Sequence, residues 1–234
     1  MEKNVPNHQS TCVARLASVS LKDAHAGDFL SVVPSPGLGL LLRSSEFVAA
    51  LRYRLGHPIF GSDGPDLAQI AASTVTGWET TPCLARRENR KTQLPSRRSP
   101  QHCSDGTGGK DAALDVTVVN PLQAALVSQA AETPGHALKV AHKRKLDKSW
   151  QACNQQGIVF LPLAVESLGA WHKSAILEIK KLGSALARHT GEEEITTTRH
   201  LFQQLSIALV KGNAALMNNR NPSDGAQGDE GLGW

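Results

Sequence analysis

The chain has 234 residues, and its 25 Lys and Arg exceed its 21 Asp and Glu to give a formal net charge of +4. Hydrophobic residues make up 40% of the chain but aromatic residues only 4%, so a core built mainly from Leu, Val, Ile and Ala is expected. The length fits one domain of about 100–150 residues together with poorly ordered segments. So small a basic excess does not by itself indicate a nucleic-acid-binding protein.

The cysteines and the apolar runs exclude several classes of protein. The four cysteines lie far apart and form no CxxC pair, which argues against a zinc knuckle or a disulfide framework. The first ten residues lack the apolar core of a secretory leader, and no apolar run approaches the roughly 18 residues of a membrane-spanning helix. We therefore expect an intracellular protein, nuclear or cytoplasmic, with no membrane partner. The sequence indicates no oligomeric state.

Apolar periodicity separates ordered from disordered parts of the chain. It is absent from both ends and from an internal stretch rich in Thr, Arg, Pro, Ser and Gln. The predicted organisation is a disordered N-terminus, 1–25; a short ordered lead-in segment, 26–65; a disordered linker, 66–107; an α/β domain, 108–220; and a disordered tail, 221–234.

The lead-in segment contains one predicted strand and one predicted helix. The run from Leu30 to Val33 is strand-like, and turn-forming residues follow it. Ser44 can cap a helix that ends at Gly56, with Phe47 and Leu51 at a spacing that predicts core positions.

The α/β domain begins with the apolar, β-branched run from Ala112 to Val119, which predicts a strand. Asn120 is a good cap for a helix that starts at Pro121 and reaches about Ala131. Periodicity predicts four further elements: a helix at 136–153, a strand at 158–163, and helices at 167–189 and 197–218, with Trp150, Trp171, Leu182 and Leu186 among the apolar contacts. The predicted fold class is α/β, with few strands flanked by several helices.

Asp115 stands in the middle of the first predicted strand of this domain. A buried ionised carboxylate is costly unless it is paired, hydrogen-bonded or bound to a metal ion. Two explanations remain open from the residues alone. Asp115 is either a strand acid that is solvated or paired with a nearby lysine, or a metal ligand.

Two stretches of the chain carry a resemblance to a known family. The first contains AGDFLSVVPSPGLGL from Ala26 and SDGP from Ser62, and the second runs from about 108 to 220, with ALDVTV around Asp115 and AHKRK ending at Lys145. They resemble the C-terminal, restriction-like PD-(D/E)xK endonuclease region of reverse-transcriptase proteins of non-LTR retrotransposons. The resemblance implies an incomplete restriction-endonuclease-like core.

In that family two carboxylates hold a divalent ion that generates hydroxide, and a lysine stabilises the charge that develops on phosphate. The resemblance assigns Asp115 as the second acid and Lys145 as the downstream lysine. The first acid and the family's zinc knuckle have no counterpart here. Thr76 to Ala85, TGWETTPCLA, stands where the knuckle is expected.

A shift in the reading frame would explain the missing motifs. Reading from the third base of each codon, the triplets from Gly77 onward have allowed readings that include Arg-Leu-Gly-Asp-His-Ala-Leu-Ser-Cys, which is the family's knuckle motif. We therefore interpret residues 66–107 as a frameshifted linker, and the coding DNA tests this interpretation directly.

The predicted function is that of a degenerate retrotransposon-derived fragment, descended from a metal-dependent endonuclease but catalytically inactive, with weak affinity for DNA. Asp115 and Lys145 are its ancestral catalytic residues, and Asp115 is at most a weak metal ligand. Lys143, Arg144 and Lys148 are the predicted nucleic-acid contacts. No cofactor is expected, except Mg²⁺ or Mn²⁺ if nuclease activity persists.

Two alternatives stay open. The chain could be an active metal-dependent DNA endonuclease in which Asp105, Asp111 or Glu166 replaces the first acid. It could instead be a non-enzymatic helical protein-interaction module built on residues 166–220.

Overall fold

The computed structural model describes residues 15, 16, 18, 19, 22–57 and 112–218. The predicted disordered linker and tail, 66–107 and 221–234, lie outside these residues, and so does most of the N-terminal segment. Within that segment Leu16 is buried and belongs to a hydrophobic cluster with Tyr53 and Leu168.

A parallel two-stranded sheet lies at the centre of the described α/β domain. Strand β1 is Ala112–Val119 and strand β2 is Val159–Glu166, and Asp115 lies opposite Pro162. The structure therefore confirms a mixed α/β class with few strands.

Among the described residues, the helices that accompany the sheet are α1, Ser44–Leu55; α2, Val127–Glu132; α3, His136–Gln155; α4, Lys173–Thr190; and α5, Glu194–Asn218. Helix α3 covers one face, where its Ala137, Leu138 and Ala141 pack with Val119 and Ala164 of the strands. Helices α4 and α5 cover the opposite face through a second cluster, composed of Leu163, Val165, Trp171, Ala175, Ile179 and Phe202. The core therefore consists mainly of aliphatic residues, as the composition predicts.

The predicted strand at Leu30–Val33 is wrong. The chain forms a 3₁₀ helix at Asp28–Ser31, and a second short one follows at Pro36–Leu38. The first turns Phe29 into the interior, where its backbone N–H donates to Ser206 Oγ at 3.1 Å. A contact with a residue so distant in the sequence cannot be recognised from the local apolar pattern.

The helix predicted to start at Pro121 begins six residues later, at Val127. Asn120 Oδ1 accepts from the backbone N–H of Leu122 at 3.0 Å, and it also accepts from Tyr53 Oη at 3.2 Å. The predicted cap residue is therefore tied into a buried network with α1, and the chain turns before it becomes helical.

The helix predicted to start at Ser167 begins instead at Lys173. Residues 167–172 form a turn in which Gly169 has φ +101° and Trp171 bridges back to Val165 of β2. A Cβ at Gly169 would lie 3.2 Å from Ala26 Cα, so glycine is required both by the backbone conformation and by this close approach.

The other helix predictions are confirmed to within a few residues, whereas several core assignments are wrong. Trp171 is buried, but Trp150 is 53% exposed and Phe47 is 38% exposed. Leu182 and Leu186 of α4 are also largely exposed. Apolar spacing located these helices but did not fix which residues face the core.

Replacing Gly183 with alanine is expected to destabilise the fold by about 1–3 kcal/mol, measured by urea denaturation. Gly183 is where α4 packs against α5, and a Cβ there would lie 3.0 Å from both Cα and Cβ of Thr198. In an uncrowded helix the same change would stabilise by about 1 kcal/mol. A more stable variant would therefore contradict this close packing.

Candidate functional site

The structure brings Asp115 and Lys145 together. Lys145 Nζ lies 3.0 Å from Asp115 Oδ2 and donates to Oδ1 at 3.3 Å. The Lys145 and Asp115 side chains are 11% and 12% exposed. The ammonium thus neutralises a carboxylate that is largely removed from water, as the first explanation of Asp115, pairing with a nearby lysine, requires.

Sequence periodicity explains how the two side chains meet. Asp115, Thr117 and Val119 alternate along β1 and occupy one face of the strand, and Val119 packs against α3. On α3 the buried positions Ala137, Leu138 and Ala141 continue to Lys145 at helical spacing. Lys145 therefore ends the apolar stripe that faces β1, and its ammonium reaches the acid.

The other predicted basic residues lie elsewhere on α3. Lys143, Arg144 and Lys148 are exposed and line a shallow surface groove of about 490 Å³ with Val140 and Asp147. This surface, which we call the α3 basic face, is open to solvent, whereas Lys145 is buried. One basic run in the sequence thus supplies both a core ion pair and a solvated cationic surface.

A stacked pair of histidines, which sequence reasoning missed, lies one turn of α3 before Lys145. The rings of His142 and His172 are 4.1 Å apart and 20° from parallel. Burial lowers both pKa values, and His142, Lys139 and Lys173 lower the pKa of His172 further. His172 also caps α4, because its Nδ1 accepts from the backbone N–H of Ser174 at 3.4 Å.

Glu166 does not lie where a second metal-binding carboxylate is needed. It pairs with Val119 at the end of the sheet, four positions beyond the Asp115–Pro162 pair, which corresponds to about 13 Å along the strands. Burial, together with the charge of Asp23, raises the pKa of Glu166 to about 7. The other proposed substitutes, Asp105 and Asp111, lie outside the described residues.

In the part of the chain that the structure describes, the site therefore presents one carboxylate and one ammonium. Among residues 22–57 and 112–218, no group of three or more His, Cys, Asp or Glu side chains is placed to hold a metal ion. Hard divalent cations are held by several oxygen ligands, and both oxygens of Asp115 lie within 3.3 Å of Lys145 Nζ. The observed arrangement suits charge neutralisation better than metal binding.

Searches of protein-family models, curated proteins and solved structures all return no match for this chain. Within the part of the chain that the structure describes, no helix is both long enough and apolar enough to cross a membrane.

Proposed function

We propose that this protein is a degenerate endonuclease-like fragment of a non-LTR retrotransposon protein, which binds DNA weakly through the α3 basic face and does not cleave it. The contact between Asp115 and Lys145 is the observation that supports this proposal. The resemblance assigns these two residues, which are 30 positions apart in the sequence, to one catalytic site, and their side chains meet between β1 and α3.

The proposed loss of cleavage is supported by the chemistry of the described part of the site. A divalent ion, held by Asp115 together with a second carboxylate, would supply the activated water that phosphodiester hydrolysis requires. Asp115 alone is a weak ligand, and its ion pair with Lys145 would compete with any cation. Without a metal ion no nucleophile is activated, so the charge on phosphate that Lys145 would stabilise does not develop.

The proposed DNA affinity rests on exposed positive charge. Lys143, Arg144 and Lys148 lie on one helical surface, with only Asp147 as an acidic residue among the groove-lining side chains. Each phosphate that is neutralised releases condensed counterions, so the logarithm of the binding constant should fall with a slope of about −0.9 per contact against log salt. Few contacts imply weak binding that is lost as salt rises.

We expect the protein to bind short duplex DNA at low salt and to leave supercoiled plasmid intact with Mg²⁺ or Mn²⁺. Fluorescence anisotropy and plasmid nicking measure the two properties. The double variant Lys143→Gln/Lys148→Gln should bind about tenfold more weakly and show a salt slope smaller by about 2. A matched control, Lys22→Gln/Lys181→Gln, removes the same charge from exposed positions outside the α3 basic face and should bind as wild type does.

Two results would contradict the proposal. Nicking by the wild type that disappears in Asp115→Ala would establish an active nuclease, which is the leading alternative. Equal losses of affinity in the two double variants would mean that general charge, and not the α3 basic face, attracts DNA.

A further inference from the structure

A groove separate from the Asp115 site lies between residues 25–31 and helices α4 and α5. Its volume is about 550 Å³, and its lining includes His25, Asp28, Lys180, Glu194, Arg199 and Phe202. This volume falls within the range of small-molecule sites, about 300–1,000 Å³. The α3 basic face contributes no residue to this lining.

His25 is held rigidly at this groove by three features. Its backbone has φ +67°, a left-handed conformation that is uncommon for residues other than glycine. Its ring stacks on buried Phe202 with centroids 3.6 Å apart and planes 9° from parallel. Its Nδ1 lies 2.9 Å from Asp28 Oδ2.

The contact with Asp28 defines the role of each imidazole nitrogen. When the Asp28 carboxylate is ionised it only accepts hydrogen bonds, and His25 Nδ1 is then the donor. Nε2 is then an acceptor in the neutral ring and a donor in the cationic ring. The neutral ring can accept a hydrogen bond at Nε2 from the O–H of a monoprotonated oxyanion. The cationic ring can instead donate one from Nε2 to a deprotonated oxyanion.

The groove carries charges of both signs, two carboxylates and two cations, which differ in their hydrogen-bond partners. Asp28 is paired with His25, and Glu194 Oε1 accepts from Ser184 Oγ at 2.5 Å. Within residues 22–57 and 112–218, the side chains of Lys180 and Arg199 form neither an ion pair nor a hydrogen bond. Each acid thus has a hydrogen-bond partner, whereas both cations are available to a ligand.

We propose that this groove binds a small phosphate-bearing ligand, with Arg199 and Lys180 contacting the phosphate oxygens and His25 Nε2 exchanging a hydrogen bond with them. Arg199 can engage two oxygens at once through its planar guanidinium, whereas Lys180 supplies a point charge. The stacked, carboxylate-held ring of His25 fixes its Nε2 before the ligand arrives, which lowers the entropic cost of binding. The inference is independent of the DNA-binding proposal, because it uses other residues.

Titration with inorganic phosphate, followed by ¹H–¹⁵N NMR of the full chain, tests the site. We expect saturable shifts of the His25 ring nitrogens and of the Arg199 guanidinium, without comparable shifts of His142. Arg199→Gln and Lys180→Gln should each weaken phosphate binding about fivefold or more. Lys181→Gln is the matched control, because Lys181 pairs with Glu178 at 2.9 Å and does not line the groove; it should bind phosphate as wild type does.

A parallel titration with short duplex DNA distinguishes a free phosphate ligand from backbone phosphate. Binding of DNA should be the same in wild type and Arg199→Gln. The proposal is overturned if phosphate produces no saturable shift at His25, or if Lys181→Gln weakens phosphate binding as much as Arg199→Gln does. It is overturned equally if Arg199→Gln weakens DNA binding but not phosphate binding. Lys180 and Arg199 are exposed, and circular dichroism should show an unchanged fold in their variants.

Discussion

Replacing Glu166 with glutamine is expected to stabilise the fold by up to about 3 kcal/mol near pH 8 and to change its stability little near pH 4. Burial, and secondarily the negative charge of Asp23, raises the pKa of Glu166 from 4.5 to about 7. The ionised carboxylate is therefore disfavoured in the folded protein. Glutamine retains the shape of the side chain and has no charge to bury.

The direction of the pH dependence follows from this raised pKa. The unfolded chain releases the Glu166 proton near pH 4.5, whereas the folded protein keeps it until about pH 7. Glu166 therefore costs stability progressively as the pH rises from about 4.5 to about 7, and the cost is constant above that range.

Urea denaturation of wild type and Glu166→Gln at several pH values measures the difference. Glu132→Gln, at an exposed position of α2, is the matched control and should show the same pH profile as wild type. A Glu166→Gln variant whose stability relative to wild type is the same near pH 5 and near pH 8 would show that Glu166 ionises normally in the folded protein.

The contact between Asp115 and Lys145 is consistent with local patterns of the sequence, whereas the catalytic roles assigned to the two residues stay predictions. Asp115 required a partner because its strand is apolar. The alternation of residues along β1 and the helical spacing along α3, which bring the two side chains together, are both local patterns that can be recognised in the sequence. Lys145, at the end of the apolar stripe of α3, reaches Asp115 because α3 lies between the parallel strands β1 and β2 in the chain. The resemblance also assigned Lys145 as the downstream lysine. Lys145 itself could have been separated from its basic neighbours, since only it continues the spacing of Leu138 and Ala141.

The errors concern residues whose conformation is set by distant contacts. Asn120 has the sequence of a helix cap, but Tyr53 uses its side-chain oxygen. Gly169 lies within an apparently helical pattern, but the approach of Ala26 and the hydrogen bond from Arg54 to Leu168 O hold a turn there. Local helix propensity is weaker than such tertiary contacts. The predicted element boundaries are therefore wrong where the lead-in segment packs on the domain.

The groove at His25 was not predictable for the same reason. His25 lay in a segment predicted to be disordered, and Phe202 is 177 positions away from it in the sequence. Neither residue belongs to a motif. Stacking, the left-handed backbone and the Asp28 contact become visible only when the lead-in segment is placed against α5.

Replacing Lys145 with methionine is expected to lower the free energy of unfolding by about 2–4 kcal/mol, measured by urea denaturation. The variant keeps most of the apolar stem but leaves Asp115, whose side chain is 12% exposed, without its counter-charge. Asp115→Asn/Lys145→Met removes both charges and should recover about half of the loss or more. Lys148→Met, on the exposed side of α3, should change stability by only about 0.5 kcal/mol.

The same variant also tests whether Asp115 can still hold a metal ion. In Lys145→Met the carboxylate no longer has a competing ammonium, so a functional metal site would be stabilised by Mn²⁺ through preferential binding to the folded state. A single carboxylate gives too little affinity for this, and we expect Mn²⁺ at millimolar concentration to leave the variant's unfolding midpoint unchanged. Restoration of stability by Mn²⁺ that is absent from the Asp115→Asn/Lys145→Met variant would instead identify Asp115 as a metal ligand. Such a result would favour the active endonuclease over the degenerate fragment, because a metal ion would then bind Asp115 once the competing ammonium of Lys145 is removed.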